Sequence, residues 1–126
     1  MKRISYFIAA AIVMLSTATI SCNNDGLDPK PNYDVLKKLY TTYKDGEISI
    51  GKYNNEVVYV AGINAFDAGS VIYDKNGDKI GECNFAWGSV SPICGKITDQ
   101  EVVYRCKNHI TGMPPADRFG LTWIYN

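Results

Sequence analysis

Residues 70–83 read Ser-Val-Ile-Tyr-Asp-Lys-Asn-Gly-Asp-Lys-Ile-Gly-Glu-Cys. Two short runs carrying Val, Ile and Tyr flank Asn76-Gly77, a dipeptide that readily supplies the left-handed backbone of a tight hairpin turn. A two-residue turn there sets Lys75 against Asp78, Asp74 against Lys79 and Tyr73 against Ile80, so two opposite-charge pairs beside the turn would hold the register. The stretch predicts strands at 70–75 and 78–83, and with them a fold built on an antiparallel sheet.

Working outward, residues 47–53 and 56–61 are again rich in Ile, Val and Tyr, and Asn54-Asn55 between them tolerates the backbone of a second tight turn. Downstream, residues 101–106 and 119–125 read as further strands, the last placing Phe119, Leu121, Trp123 and Tyr125 on one face. Glu101-Val102-Val103-Tyr104 echoes Glu56-Val57-Val58-Tyr59, which is strand composition rather than a repeat. Ahead of the strands, Tyr33, Leu36, Leu39, Tyr40 and Tyr43 recur at three- and four-residue steps and form one stripe of a helix. Asn32 can cap it, Asp34 sits in the first turn, Lys37, Lys38 and Lys44 follow, and Gly46 supplies a stop. The expected fold is α+β: one N-terminal helix packed on an antiparallel sheet of five or six strands built from hairpins, with the tyrosine stripe against the sheet.

The composition agrees. The chain has 126 residues, 46% hydrophobic and 12% aromatic, with 13 basic and 13 acidic side chains, the profile of a single globular domain rather than a disordered tail or a polytopic membrane protein. Its first 21 residues read as an export signal: Lys2 and Arg3 are a positive start, residues 6–15 an apolar run, and 16–21 are mostly small. Without Lys2 and Arg3, 11 basic groups face 13 acidic ones, a balance that disfavours nucleic acid because no basic stripe is available to the phosphates. Residues 23–32 hold two prolines and almost nothing apolar. They read as a tether spanning on the order of 17 Å if flexible, and the folded unit is expected at 33–126.

Thr19-Ile20-Ser21-Cys22 resembles the lipobox of bacterial lipoproteins, in which the cysteine is lipidated and becomes the new N-terminus. Ser21 and Cys22 fit that pattern, and Thr19 departs from the usual Leu. The resemblance implies a lipid anchor on Cys22 and a place in the cell envelope. With Asn23 where inner-membrane retention uses aspartate, the outer membrane is the expected destination. Residues 50–83 resemble a family of small exported Bacteroidetes proteins of unknown function, through Ile-x-x-Tyr, Val-Val-Tyr and the hairpin that follows. The chain has Asn64-Ala65-Phe66-Asp67 where that family carries paired cysteines before an aspartate, and it lacks the family's glycine-rich stretch after the second hairpin. That resemblance implies the fold and the address.

Candidate chemistry is sparse. Asp74-Lys75-Asn76-Gly77-Asp78 looks like the opening of a calcium loop, but position six is Lys79 instead of Gly and position twelve is Phe85 instead of Glu; the hairpin turn accounts for the same residues. With Cys22 lipidated, three cysteines share an oxidising compartment. Cys83 with Cys94 is the preferred pair, closing a loop that carries Phe85 and Trp87, and Cys106 is left as a small buried side chain on a strand, although spacing alone leaves the pairing open. A zinc site from Cys83, Cys94, Cys106 and His109 runs against the usual short ligand spacing. A thiol nucleophile from Cys106, His109 and Asp117 runs against burial or bridging of a strand cysteine. No cofactor or catalytic set is expected, and the chain reads as a non-enzyme.

Three long loops, 62–69, 84–100 and 107–118, carry what remains, because long loops on a rigid sheet are where binding usually lives. Phe85, Trp87, His109, Met113 and Arg118 are the candidate binding residues. For Phe85 and Trp87 the preferred expectation is that they cover the end of the core. The leading expectation is a non-catalytic, lipid-anchored envelope protein that binds another protein or a glycan through these loops. The alternative is a small inhibitor of an envelope-attacking hydrolase such as lysozyme, because Tyr104-Arg105-Cys106 resembles the Tyr-x-Cys strand of lipoprotein lysozyme inhibitors.

Overall fold

In the computed structural model, residues 30–124 are described; the signal peptide, Cys22 and most of the tether lie outside the described residues. Helix α1 (Tyr33–Tyr43) is capped by Asn32, whose side-chain oxygen accepts from the amides of Asp34 at 3.0 Å and Val35 at 3.5 Å, satisfying donors that a helix start otherwise leaves open. The Asn32 amide in turn donates to the Tyr59 hydroxyl at 2.8 Å, and Pro31 is buried. The last tether residues therefore belong to the domain.

Seven antiparallel strands form one sheet in the order β5-β4-β3-β2-β1-β6-β7: β1 (Gly46–Tyr53), β2 (Glu56–Ile63), β3 (Ser70–Tyr73), β4 (Lys79–Asn84), β5 (Ser89–Val90), β6 (Thr98–Arg105) and β7 (Ala116–Asp117). Strands β1 to β4 are those the hairpin signals predict, β6 starts three residues ahead of the strand expected at 101–106, and β5 and β7 are two-residue additions at the edges. The β1–β2 hairpin turns at Asn54 and Asn55, both at positive φ (51° and 61°), with Tyr53 opposite Glu56, as the two-residue turn requires.

The β3–β4 hairpin differs from expectation. Tyr73 pairs with Lys79, not Ile80, and the turn holds three residues: the Gly77 amide donates to the Asp74 carbonyl at 3.0 Å, and the Asp74 amide donates to the Asp78 carbonyl at 2.8 Å. The cause is the Asp74 carboxylate, which accepts from the amides of Asn76 (2.9 Å) and Asp78 (3.0 Å) and so prefers a wider turn, with Gly77 alone in the left-handed region at φ 84°. The expected Lys75–Asp78 and Asp74–Lys79 pairs are replaced by Lys75–Glu56 (3.1 Å) and Lys79–Glu82 (3.3 Å).

The strand expected at 119–125 is also corrected. After β7 the chain forms a short helix, α2 (Leu121–Ile124), because the Asp117 carboxylate accepts from the amides of Leu121 (2.7 Å) and Thr122 (3.1 Å). Leu121 enters the core, whereas Trp123 is 90% exposed.

The main core lies between α1 and one face of the sheet. Val35, Leu36, Leu39, Tyr40 and Tyr43 meet Ile48, Ile50, Val57, Tyr59, Ala61, Val103 and Tyr104, closed by Cys106 and Leu121. Fully burying a Leu or Ile contributes about 1.5–3 kcal/mol, so this face holds the domain together. A register shift in the β1–β6 pairing skips Val103, and the bulge lets consecutive residues Val103 and Tyr104 both enter the core. The tyrosine stripe packs as expected: Tyr40 meets Tyr104 edge-on at 5.1 Å, and the Tyr43 and Tyr73 hydroxyls share a hydrogen bond of 2.6 Å.

Candidate functional site

Alternation along the strands turns Ser49, Gly51, Val58, Val60, Ile72, Gly81 and Cys83 to the sheet face opposite α1. The half of that face nearest the hairpin turns is covered by residues 91–97, which carry Ile93 and Ile97 into a second cluster with Val58 and Ile72. Two glycines make room. A Cβ on Gly81 would lie 2.5 Å from Ile93 Cγ2, and one on Gly51 would lie 2.5 Å from Ile97 Cγ2. A Cys83–Cys94 disulfide, with Cα atoms 5.8 Å apart, staples this cover to β4, while the Ser91 hydroxyl accepts from the Glu82 amide at 3.0 Å. Cys106 is a buried free thiol, which is the expected division of the cysteines.

The other half of the face stays open as a groove of about 300 Å3, floored by Ser49, Val60, Gly62 and Ser70 and walled by Glu47, Gln100 and residues 109–111. Three loops meet around it. Asn64 docks the third loop onto the first, its Oδ1 accepting from the Ile110 amide at 2.7 Å and its Nδ2 donating to the Asn108 carbonyl at 3.4 Å. Asn84 ties the second loop to the first, donating to the Asp67 carbonyl at 3.0 Å. Asp67 and Asn108 both sit at positive φ (59° and 55°), which their short polar side chains tolerate. Within the groove, His109 Nδ1 lies 2.8 Å from Thr111 Oγ1. The Glu47 carboxylate accepts from Arg105 Nε at 2.6 Å, with both side chains largely shielded. Ser49, 2% exposed, is the one buried polar residue among the described residues.

The candidate binding residues are dispersed in part. His109 lines the groove, and Met113 projects from the same loop, 53% exposed. Phe85 and Trp87 do not cover the core as expected: they stand 76% and 78% exposed, because Ile93 and Ile97 fill that place. Arg118 points elsewhere, paired with Glu101 at 2.6 Å and lying 6.0 Å from the centre of the Phe119 ring. Sequence reasoning missed Phe66, which is 82% exposed, and Ser49 and Asn64. An aromatic between Ala65 and Asp67 in a loop was the available signal for Phe66; nothing local marks Asn64.

The nucleophile set does not assemble. Cys106 borders a cleft with Asp117, whereas His109 lies in the groove, and burial with the nearby Asp45 charge pushes the Cys106 thiol up. Cys83 and Cys94 are consumed by their bond, and among the described residues no three His, Cys, Asp or Glu side chains gather as a metal would require. Tyr104, Arg105 and Cys106 are turned inward: the Tyr104 hydroxyl donates to the Lys44 carbonyl, Arg105 holds Glu47 and the Pro114 carbonyl, and Cys106 is buried. Burial pushes the Tyr104 phenol up to about 12 and raises those of Tyr59 and Tyr43. No family model, curated protein or solved structure matches this chain.

Proposed function

We infer that the protein is a non-catalytic, lipid-anchored envelope component that binds its partner through the loop-ringed half of the sheet. The observation that carries this reading is the exposure of Phe66, Phe85 and Trp87 on loops tied together by Asn84 and Asp67. Rings left in water on braced loops cost solvation without helping the fold, and aromatic side chains of this kind dominate recognition surfaces.

The arrangement of the strands supports an outward-facing role. The tether enters at the start of α1, at the end of the sheet that carries the two hairpin turns, since Asn32 bonds Tyr59 and Gly77 lies against Val35. Residues 62–69, 84–90 and 107–118 occupy the opposite end, while 91–97 run back over the sheet face. Strand β1 has eight residues, about 26 Å at the usual rise, so an anchor on Cys22 leaves the loops pointing away from the bilayer. The disulfide supports an oxidising compartment, and the lipobox resemblance supports the anchor.

Two measurements test the reading. Cys22→Ala should release the protein from the membrane fraction or block its processing; unchanged detergent-phase partitioning would refute the anchor. Immobilised full-length protein should retain envelope material, and Phe66→Ala, Phe85→Ala and Trp87→Ala combined should abolish retention while Trp123→Ala does not. Equal retention by both variants would refute the loop surface.

A further inference from the structure

Resting on that reading of the loop face, we propose that the groove is a saccharide subsite that takes an uncharged sugar unit of a glycan chain. The lining carries one formal charge, Glu47, and Arg105 already compensates it at 2.6 Å. What remains are groups that both give and take hydrogen bonds, the Ser70 hydroxyl, the Gln100 amide and the His109 ring, with the Ser49 hydroxyl buried in the floor and the Thr111 hydroxyl setting the His109 ring through Nδ1. A sugar hydroxyl is likewise donor and acceptor at once, so a cluster of such groups meets it where fixed charges would demand a charged ligand. Thr111 occupies His109 Nδ1 and leaves Nε2 free to face a ligand. Val60, Ile63 and Ile110 line the same groove and offer apolar surface to the C–H faces of a sugar ring.

The rim supplies planar partners. Ala65 lines the groove and the exposed Phe66 follows it, while the Asn84–Asp67 hydrogen bond brings the loop of Phe85 and Trp87 alongside. Aromatic faces offer broad contact area with little entropy to lose, so a chain with one unit in the groove has rings on which its neighbours can lie. Competing ligands fit less well. A peptide adding as a strand needs an open sheet edge, and the groove lies over β1, β2 and β3, which are paired on both sides. A phosphorylated ligand needs uncompensated cations, and no Lys or Arg lines the groove.

The test is titration of the full chain in detergent micelles with three neutral tetrasaccharides, the β1,4-linked oligomers of N-acetylglucosamine and of glucose and the α1,4-linked oligomer of glucose, read by calorimetry and by the fluorescence of Trp87. At least one should bind saturably at micromolar to millimolar concentration. Gln100→Ala and Trp87→Ala should each weaken it about tenfold, with thermal unfolding unchanged because both side chains are exposed. Thr111→Val, which keeps the shape and removes the hydroxyl, should weaken it as well, and Trp123→Ala should leave it intact. Absence of saturable binding to all three probes, or binding indifferent to Gln100→Ala and Thr111→Val, overturns the proposal. If envelope material is still retained and lost in the aromatic triple variant, the loop surface stands and the occupant is a protein; if retention also fails, both readings fall.

Discussion

Replacing Gly81 with Ala probes how the disulfide-stapled cover is seated. The backbone at Gly81 lies outside the left-handed region that favours glycine, so the added methyl meets only contact strain: Ile93 Cγ2 at 2.5 Å and Ser91 Cβ at 3.3 Å. Ile93 cannot swing aside easily, because a β-branched side chain is stiff at χ1 and its neighbour Cys94 is bonded to β4. Overpacking of this kind costs about 1–3 kcal/mol, while loss of glycine's unfolded-state freedom returns about 0.4–1 kcal/mol. The net expectation is destabilisation by about 1–2 kcal/mol, read as a lower urea midpoint at unchanged slope under non-reducing conditions. Ile93→Ala in the Gly81→Ala background removes the clashing methyl, and the double variant should be less destabilised than the sum of the singles by about 1 kcal/mol. Ile93→Val keeps Cγ2 and should give no such relief. Gly81→Ala at wild-type stability, or strict additivity with Ile93→Ala, would refute the notch.

Other expectations follow from the same geometry. Replacing both Cys83 and Cys94 with Ser should cost about 2.8 kcal/mol, from the loop-closure entropy of the crosslink they form, and alkylation of the denatured, non-reduced mature protein should label Cys106 alone; a label on Cys94 would contradict the pairing. Gly77→Val should destabilise by more than about 1 kcal/mol, because a β-branched residue is poorly tolerated at positive φ, here 84°; an unchanged denaturation midpoint would place the turn elsewhere. Burial holds the Tyr104 phenol protonated up to about 12 against 10.0 in an unfolded chain, so the folded state binds that proton more tightly. The stability it contributes is complete below pH 10 and is lost as pH rises towards 12; Tyr104→Phe should flatten that alkaline decline in unfolding free energy, and an equally steep decline would remove Tyr104 as its source.

Periodic segments were legible in the sequence and side-chain hydrogen bonding was not. The stripe of Leu36, Leu39, Tyr40 and Tyr43 marks α1 because burial on one face imposes the helical period, and the Asn54-Asn55 turn follows from backbone tolerance alone. Both misreadings share a cause. Asp74 widens one turn by accepting two amides, and Asp117 bends an alternating apolar segment into α2 by accepting two more; a short carboxylate competes locally with the ladder, and period-two reading does not register it. The Cys83–Cys94 bond is the pair the sequence prefers but does not fix, because loop closure costs little more for the longer alternatives. The groove was not, because it depends on Asn64 meeting residues 108 and 110, whose approach is set by the whole sheet. Aromatic composition points to Phe85 and Trp87 as the cover over the end of the core, yet the glycine notches admit Ile93 and Ile97 instead.

The two outermost strands, β5 and β7, are two residues long. A protein fixed to a bilayer diffuses in two dimensions, where copies meet far more often than the same number would in solution. An extended open edge would then be a template for chain-to-chain pairing and aggregation. Here β5 and the Ser91 amide and hydroxyl occupy the far part of β4, while β7 and the Arg118 amide occupy the far part of β6. The rest of the β6 edge carries charged side chains, Asp99 and the Arg118-paired Glu101, which a pairing strand would have to accommodate. On the lipid anchor proposed for Cys22, the small end strands would serve crowding tolerance: many copies could share a membrane patch while each sheet stays closed to its neighbours.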